Sequence, residues 1–250
     1  MKIIACIPAR FGSTRLYGKP LYIINNKTII QHVYEAVCKV DIIDYVVVLT
    51  DNLMIKNNIE LIGGNVEMIL EPCLNGTERI CHYLSTIDYT NNIIINVQGD
   101  EPFISVDNIK KSINNYIERI KVDSLCVCST LFYKTRNMNE IGNNSRGKLV
   151  LDCLNNIMYC SRNIIPAGKQ VKIIENYDYK IHIGVFVFNA TYLMEHNRNN
   201  NTELQLCEDI EWMKIIEQGY HINAVETTEH EIGVDTIEDY NYLHSKYRLY

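Results

Sequence analysis

The chain has 250 residues, of which 47% are hydrophobic and 22% charged, as in a soluble globular protein. Its net charge of −6 argues against a nucleic-acid or anionic-membrane partner. No window approaches the roughly 20 apolar residues that span a bilayer, and the first apolar run is too short for a signal peptide. We therefore expect a cytoplasmic protein without membrane insertion. Its nine cysteines, none in C-x-x-C spacing, are expected to be mostly buried free thiols.

In the first half of the chain, short apolar strands alternate with helical segments. Hydrophobic periodicity predicts strands over residues 3–8, 45–49, 66–70 and 93–97, and helices over 28–38, 53–60, 76–87 and 106–120. Alternation with short connections is typical of a parallel sheet covered by helices on both faces. The pattern therefore predicts an α/β fold, with no clear boundary between independent domains.

The second half is less regular. It predicts strands over 124–131, 181–188 and 220–225 and helices over 204–218 and 236–247. Between residues 133 and 180, two strand-like runs, 148–152 and 157–160, flank an Asn-Asn turn. We interpret this segment as a small excursion from the sheet, or a dimerisation lobe, within one domain spanning 1–250.

The run NVQGDEP, residues 96–102, directly follows the apolar strand over 93–97. Ligands of open α/β sheets bind at the carboxyl ends of strands, so Asp100 and Glu101 stand where a metal and a phosphate would be held. Gly99 would allow close approach of the backbone, and Pro102 would stop the strand. Taken alone, the run is equally compatible with a solvated turn.

A polar loop with three cations follows the first strand. Arg10, Arg15 and Lys19 lie among glycine, serine and threonine, a composition suited to a triphosphate. The loop matches neither G-x-x-x-x-G-K-[ST] nor G-x-G-x-x-G. The alternative is a surface loop with scattered cations.

Two further stretches indicate a functional site only when they are considered together with the others. The turn over residues 76–79 would by itself be read as simple helix initiation. Asp235 or Thr236 would by itself be read as the cap of the last helix. If Asp235 instead meets Asp100, the two carboxylates could share a Mg²⁺ ion that bridges phosphate and nucleophile.

Together these stretches resemble the 3-deoxy-manno-octulosonate cytidylyltransferase family, whose members are also called CMP-Kdo synthetases. The runs IPARFGSTRLYGKPL, NGTERI, NVQGDEP, KLVLD, YCSRNIIP, HIGVF and GVDTIED occur in the family's order and cover almost the whole chain. The resemblance implies a Rossmann-like nucleotidyltransferase sheet, mostly parallel and flanked by helices, in a homodimer. It also implies transfer of CMP from CTP to the anomeric 2-hydroxyl of a 3-deoxy-2-ulosonic acid, with release of diphosphate. The activated sugar would serve lipopolysaccharide biosynthesis, a capsule or another glycan.

The resemblance also assigns roles to individual positions. It implies that Arg10, Arg15 and Lys19 hold the CTP phosphates and that Asp100 and Asp235 bind Mg²⁺, which would activate the sugar hydroxyl. Around the sugar acid it places Gln98, Arg162, His182 and Glu211, with Arg162 suited to the carboxylate. For His182 alone, a packed strand histidine would be the preferred interpretation. The nucleotide site would be lined by Ala9, Gly76, Thr77, Glu78 and Arg79.

Several positions depart from the family's pattern. Tyr17 replaces a usual proline in the phosphate loop, and residues 72–75 (PCLN) replace D-H-Q-S before the G-T-E-R turn. In the sugar region Phe186 replaces a tyrosine and Trp212 a glutamine. A large indole would close the pocket around a different sugar tail, which favours an analogue such as 8-amino-Kdo slightly over Kdo, or it would be ordinary helix packing.

Two other functions remain open from sequence. One is a nucleotidyltransferase for a different sugar acid or sugar phosphate, which would not need Arg162, His182 and Glu211 together. The other is a catalytically weakened nucleotide-binding protein, which the departures at 72–75 and 212 would allow. The presence of both aspartates and all three phosphate-loop cations favours activity.

Overall fold

The computed structural model describes residues 1–12, 16–170, 172–197, 201–228 and 232–247, with the backbone alone at 196 and 197. The strands, in chain order, are β1 Ile3–Ala9, β2 Ile23–Ile24, β3 Lys27–Thr28, β4 Tyr45–Thr50, β5 Val66–Met68, β6 Ile93–Val97, β7 Cys126–Thr135, β8 Lys148–Leu151, β9 Ile157–Ser161, β10 Tyr179–Asn189 and β11 His221–Glu226. The α-helices are α1 Ile29–Cys38, α2 Leu53–Glu60, α3 Gly76–Leu84, α4 Val106–Arg119, α5 Met138–Ile141, α6 Ala190–Tyr192, α7 Glu203–Glu208, α8 Met213–Glu217 and α9 Ile237–Lys246. Single turns of other helix types lie at Lys19–Leu21 and Leu193–Asn197.

The chain forms two compact units, the first made of Met1–Lys110, Phe188–Arg198 and Glu231–Tyr250. Its strands lie in the order β6-β1-β4-β5. The paired strands run parallel, with Ile3 opposite Ile93 and Ala5 opposite Val46. Helices α1, α2 and α3 supply the crossovers between successive strands. This geometry brings the carboxyl ends of β1 and β6 to the same edge, where ligands of such sheets bind.

The helices of the first unit begin where the sequence supplies a cap. Thr28 caps α1 in a reciprocal capping box with Gln31, and the Asn52 side chain accepts from two backbone N–H groups at the start of α2. Helix α1 then buries an apolar face that includes Ile30 and Val33. Strand β6 is buried throughout, as its continuous apolar run predicts for a central parallel strand.

Gly99 lies where the loop after β6 passes close to the end of β1. A Cβ atom at this position would stand 2.7 Å from the carbonyl oxygen of Pro8, a backbone atom that cannot rotate away. We predict that Gly99→Ala lowers the free energy of unfolding by about 1–3 kcal/mol, because the two chain segments must separate. Urea unfolding would measure this. Gly12→Ala is the control, since its Cβ would meet nothing within 4 Å; equal losses in both variants would contradict the packing argument.

The second unit comprises Lys111–Val187 and Asn199–His230. Here β11 pairs in parallel with β7, and β7 neighbours β10. Strand β8 runs antiparallel to both β10 and β9. The excursion predicted over 133–180 falls within this unit. The pairs β1–β4, β1–β6, β4–β5 and β7–β11 are parallel, whereas β8–β9, β8–β10 and the separate hairpin β2–β3 are antiparallel. The predicted mostly parallel α/β sheet is therefore confirmed.

Local differences from the prediction have physical causes. The helix predicted over 204–218 is split into α7 and α8, because Asp209 takes a left-handed conformation (φ 53°) that ends α7. The hairpin of β2 and β3 was not predicted. It turns on Asn25 and Asn26, both with positive φ, as a tight hairpin turn requires.

Two expectations from composition can be compared with the structure. Within the described ranges, no helix is both long enough and apolar enough to cross a membrane. All nine cysteines are free; Cys6, Cys81, Cys126, Cys128 and Cys160 are buried. Burial raises the pKa of Cys126 to about 11, so that its thiol is neutral and packs as an apolar group.

Candidate active site

A cavity of about 200 Å³, open to solvent, lies in the first unit at the carboxyl ends of β1 and β6. The N-terminus of α3 and the turn before α9 complete it. Its walls carry both cationic and anionic side chains. The cationic ones suit an anionic substrate, and the carboxylates suit a metal cation bound with that substrate. The lining residues are Pro8, Ala9, Arg10, Lys19, Pro20, Cys73, Asn75, Gly76, Arg79, Gln98, Gly99, Asp100 and Asp235.

Lys19 joins the two aspartates that the sequence singled out. Its ammonium nitrogen lies 2.6 Å from Oδ2 of Asp100 and 3.5 Å from Oδ1 of Asp235. The lysine side chain is only 12% exposed, whereas the aspartates are 30% and 36% exposed. Residues 100 and 235, far apart in sequence, therefore present their carboxylates to one cation.

The backbone around Asp235 is fixed from three directions. The Val234 N–H donates to the carbonyl of Asp100 at 2.8 Å, so the two aspartate-bearing segments are directly bonded. Val234 itself is buried in an apolar cluster with Leu16 and Leu243. Asp239 accepts from the N–H groups of Asp235 and Thr236 at 3.0 and 2.9 Å. Thr236 therefore caps α9, and the Asp235 side chain is not needed for capping.

The two carboxylates fit a magnesium ion that is shared with substrate. No group of three or more His, Cys, Asp and Glu side chains in the described ranges is arranged to hold a metal on its own. Protein sites for Mg²⁺ commonly use one or two carboxylates and leave the remaining positions to water and substrate phosphates. Asp100 and Asp235, which meet at one ammonium group, are such a pair.

The phosphate loop is described on either side of Arg15, which itself lies outside the described residues. Gly18 turns the chain with φ 69°, and its N–H donates to the Phe11 carbonyl at 3.0 Å. This turn delivers Lys19 to the cavity. Arg10 is exposed and lines the cavity. Tyr17 is 70% exposed and packs edge-on against the Phe11 ring.

The N-terminus of α3 opens onto the cavity. The Asn75 side chain accepts from the Glu78 N–H at 2.9 Å, and the Glu78 side chain accepts from the Leu74 N–H at 2.7 Å. Gly76 lies close under Pro8, whose Cγ would stand 3.2 Å from an added Cβ. The first N–H groups and dipole of this helix favour an anion. Thr77 and Glu78 are not among the cavity-lining residues, while Ala9, Gly76 and Arg79 are.

Arg79 is buried, with 5% exposure, and its guanidinium is held by the protein itself. One terminal nitrogen pairs with Asp51 at 2.7 Å, and the other donates to the Ile69 carbonyl at 3.1 Å. The side chain therefore braces α3 against the ends of β4 and β5. Its part in lining the cavity is that of a fixed wall.

This bracing predicts a stability effect. We expect Arg79→Lys to lower the free energy of unfolding by about 1–3 kcal/mol. One ammonium group cannot contact both Asp51 and the Ile69 carbonyl as the guanidinium does, so a buried acceptor is left unpaired. Urea unfolding would measure it. Arg136→Lys is the matched control: Arg136 forms an exposed ion pair with Asp178, where we expect little change. A loss no larger than the control's would contradict the bracing role.

Gln98 lines the cavity and ends a short chain of side-chain hydrogen bonds. Its amide donates to Asn96 Oδ1 at 3.4 Å, and Asn96 donates to Thr77 Oγ1 at 3.4 Å. Asn96 is fully buried in β6. It was overlooked in the sequence, although one amide among isoleucines and valines was a signal for a buried polar contact.

The other predicted sugar residues belong to the second unit. Arg162 donates to the Asp209 carbonyl at 2.9 Å and to the Ser145 carbonyl at 3.4 Å. Fully buried Lys148 donates to the carbonyls of Arg146, at 2.8 Å, and of Arg162. Burial lowers the pKa of Lys148. The side chains of Lys148 and Arg162 thus both hold the loop that contains Ser145 and Arg146.

His182 lies between two aromatic rings. Its ring centroid is 4.9 Å from that of Phe186 and 5.2 Å from that of Trp212. Burial lowers the pKa of His182 to about 3, so its imidazole is neutral at physiological pH. Glu211, partly exposed, directly precedes Trp212. The turn over residues 209–212 therefore contacts both Arg162 and His182.

Comparison with known proteins gives the family. Residues 4–227 match the family model described as Cytidylyltransferase. A 3-deoxy-manno-octulosonate cytidylyltransferase of Fusobacterium nucleatum is 36% identical over 242 residues, covering 96% of this chain and 94% of that protein. Its counterpart in Protochlamydia amoebophila is 34% identical over 240 residues, covering 95% and 91%.

Among solved structures, that of a CMP:2-keto-3-deoxy-manno-octonic acid synthetase complexed with CTP superposes with a TM-score of 0.88. It is 27% identical and covers 98% of both chains. The sequence and structural matches extend over nearly the whole chain and agree with each other. The chain belongs to the cytidylyltransferase family and, within it, to the 3-deoxy-manno-octulosonate cytidylyltransferases.

Proposed function

We propose that this protein transfers the CMP group of CTP to the anomeric 2-hydroxyl of Kdo or a close eight-carbon analogue. The sugar oxygen bonds to the α-phosphorus and releases its proton to solvent, while the bond between that phosphorus and the oxygen bridging to the β-phosphate breaks and diphosphate leaves. The observation that carries this proposal is that Lys19, Asp100 and Asp235 converge in one cavity at the carboxyl ends of β1 and β6. The family and its named relatives support the choice of CTP and Kdo.

Different residues stabilise the phosphate charge and bind the metal ion. Arg10 and Lys19 neutralise the phosphate charge, and Arg15, which belongs to the same loop, is proposed to do so as well. The N-terminus of α3 adds backbone donors. Asp100 and Asp235 would hold Mg²⁺, which when bound lowers the pKa of a coordinated hydroxyl and offsets charge on the phosphate. No side chain is then required as a dedicated base.

Around the acceptor, we propose that Arg162 binds the sugar carboxylate and that Gln98, His182 and Glu211 contact the rest of the sugar. A guanidinium matches a carboxylate with two parallel donors, which an ammonium cannot provide. Phe186 and Trp212, which flank His182, give this region an apolar and bulky character. That character favours a modified sugar tail, of which 8-amino-Kdo is an example.

The test is diphosphate release from CTP with Mg²⁺ and either Kdo or its 8-amino analogue. We expect sugar-dependent release with at least one of the two, and no release when chelator removes the metal. Release with neither sugar would contradict the proposal. A clear preference in kcat/KM for Kdo would contradict the modified tail while leaving the cytidylyl transfer intact.

We also propose a cytoplasmic homodimer that supplies an activated sugar for lipopolysaccharide. The support is the family's pattern and the nucleotide substrate, which is available in the cytoplasm. Sedimentation at several protein concentrations would test the dimer, and a single species with the mass of one chain, 29.0 kDa, would contradict it.

A further inference from the structure

Thr130 contacts His182 deep in the second unit. Thr130, on β7, is fully buried, and its hydroxyl oxygen lies 2.8 Å from Nε2 of His182. The same oxygen lies 2.7 Å from the Val185 carbonyl and 3.3 Å from the Ile183 carbonyl. Three polar atoms of β10 therefore surround one threonine hydroxyl.

The position of the protons follows from counting donors. A threonine hydroxyl has one proton and two lone pairs, and a carbonyl can only accept. The 2.7 Å separation from the Val185 oxygen is that of a hydrogen bond, so the hydroxyl proton points to a carbonyl. If it pointed to the histidine instead, two oxygen lone pairs would face each other at 2.7 Å without a proton. Thr130 therefore accepts from His182, and Nε2 carries the hydrogen.

The other ring nitrogen is then an acceptor. Burial keeps the imidazole neutral, and a neutral ring with a hydrogen on Nε2 has a lone pair on Nδ1. Within the described residues, the contact with Thr130 is the one side-chain hydrogen bond of His182. The lone pair of Nδ1 can therefore accept a further hydrogen bond.

We propose that Thr130 fixes His182 as a hydrogen-bond acceptor, so that His182 recognises a donor group of the sugar, a hydroxyl or an ammonium, and not its carboxylate. This rests on the proposed function, in which His182 contacts the sugar acid. Thr130 is a positioning residue, since it acts through the histidine. The carboxylate is left to Arg162, whose guanidinium can only donate.

The protein without substrate tests the tautomer. In ¹⁵N-histidine spectra of the full chain, we expect His182 to show a protonated Nε2 and an unprotonated Nδ1, unchanged between pH 8 and pH 5. Thr130→Val, which keeps the shape but removes the hydroxyl, should lose this pattern, and Thr130→Ser should keep it. A protonated Nδ1 in the unmodified protein, or an unaltered pattern in Thr130→Val, would overturn the inference.

Kinetics test the consequence for recognition. Loss of one oriented hydrogen bond should raise KM for the sugar about tenfold in Thr130→Val, with KM for CTP little changed. Thr130→Ser should restore it. The matched control is Thr135→Val on the same strand, whose hydroxyl donates to Glu140 and not to His182.

Sugar analogues separate this inference from the proposed function. A Kdo analogue lacking the recognised hydroxyl should lose affinity with the unmodified protein and lose little more with Thr130→Val, because the two changes remove the same contact. Equal losses for every analogue in both proteins would overturn the inference while turnover of Kdo upheld the proposed function. Absence of any turnover with a normal tautomer would overturn the function and, with it, the recognition of the sugar.

Discussion

Asp235→Asn should reduce turnover of CTP and Kdo by at least about 100-fold. Asparagine keeps the size and one oxygen but removes the charge that a Mg²⁺ ion needs from one of the two carboxylates that line the cavity among the described residues. The fold should survive, because Thr236 and Asp239 cap α9 without the Asp235 side chain. Asp100→Asn should have a comparable effect. Diphosphate release at saturating substrates would measure both.

A metal-binding readout sharpens this prediction. Mn²⁺ binding, followed by electron paramagnetic resonance in the presence of CTP, should weaken in both asparagine variants. Asp178→Asn is a suitable control, since that carboxylate is exposed and pairs only with an arginine of the second unit among its described ion pairs. Unchanged turnover in either active-site variant would contradict the assignment of a metal-binding pair.

Lys19→Met should have opposite effects on turnover and on metal binding. Turnover should fall by about 100-fold, because the leaving diphosphate loses one cation. The free protein, however, should bind Mn²⁺ roughly fivefold more tightly. An ammonium group about 4 Å away competes for the carboxylates by about 1 kcal/mol even in water, and Lys19 lies 2.6 and 3.5 Å from them.

Two substitutions control this experiment. Lys19→Arg keeps the positive charge and should leave Mn²⁺ affinity nearly unchanged. Lys27→Met makes the same change in an exposed lysine that pairs with Glu35 and should alter neither property. Mn²⁺ affinity that falls in Lys19→Met would show that the lysine supports the ion, and would refute the competition inferred from the two short contacts.

The sequence predicted the sheet well because its signals are local. Continuous apolar runs such as that of β6, and caps such as Thr28, determine single elements without help from distant residues. The split at Asp209 was missed because apolar periodicity continues across it, and a left-handed residue interrupts a helix without changing that period. The β2–β3 hairpin is too short to show alternation.

The site was predictable only where several stretches could be read together. Asp235 alone was better explained as a helix cap, and the structure assigns the cap to Thr236 and places Asp235 beside Lys19. Arg79 shows the limit of this reasoning. The family resemblance implies that Arg79 lines the nucleotide site, but its salt bridge to Asp51 depends on tertiary structure and leaves no local pattern. The same holds for Thr130, whose partner lies 52 residues away.

Diphosphate release from CTP with Kdo or its 8-amino analogue, in the presence and absence of Mg²⁺, tests the central claim most directly. The geometry of Lys19, Asp100 and Asp235 predicts release that requires the sugar and the metal together and that is lost in Asp235→Asn. Release that continues without Mg²⁺, or no release with either sugar, would contradict it.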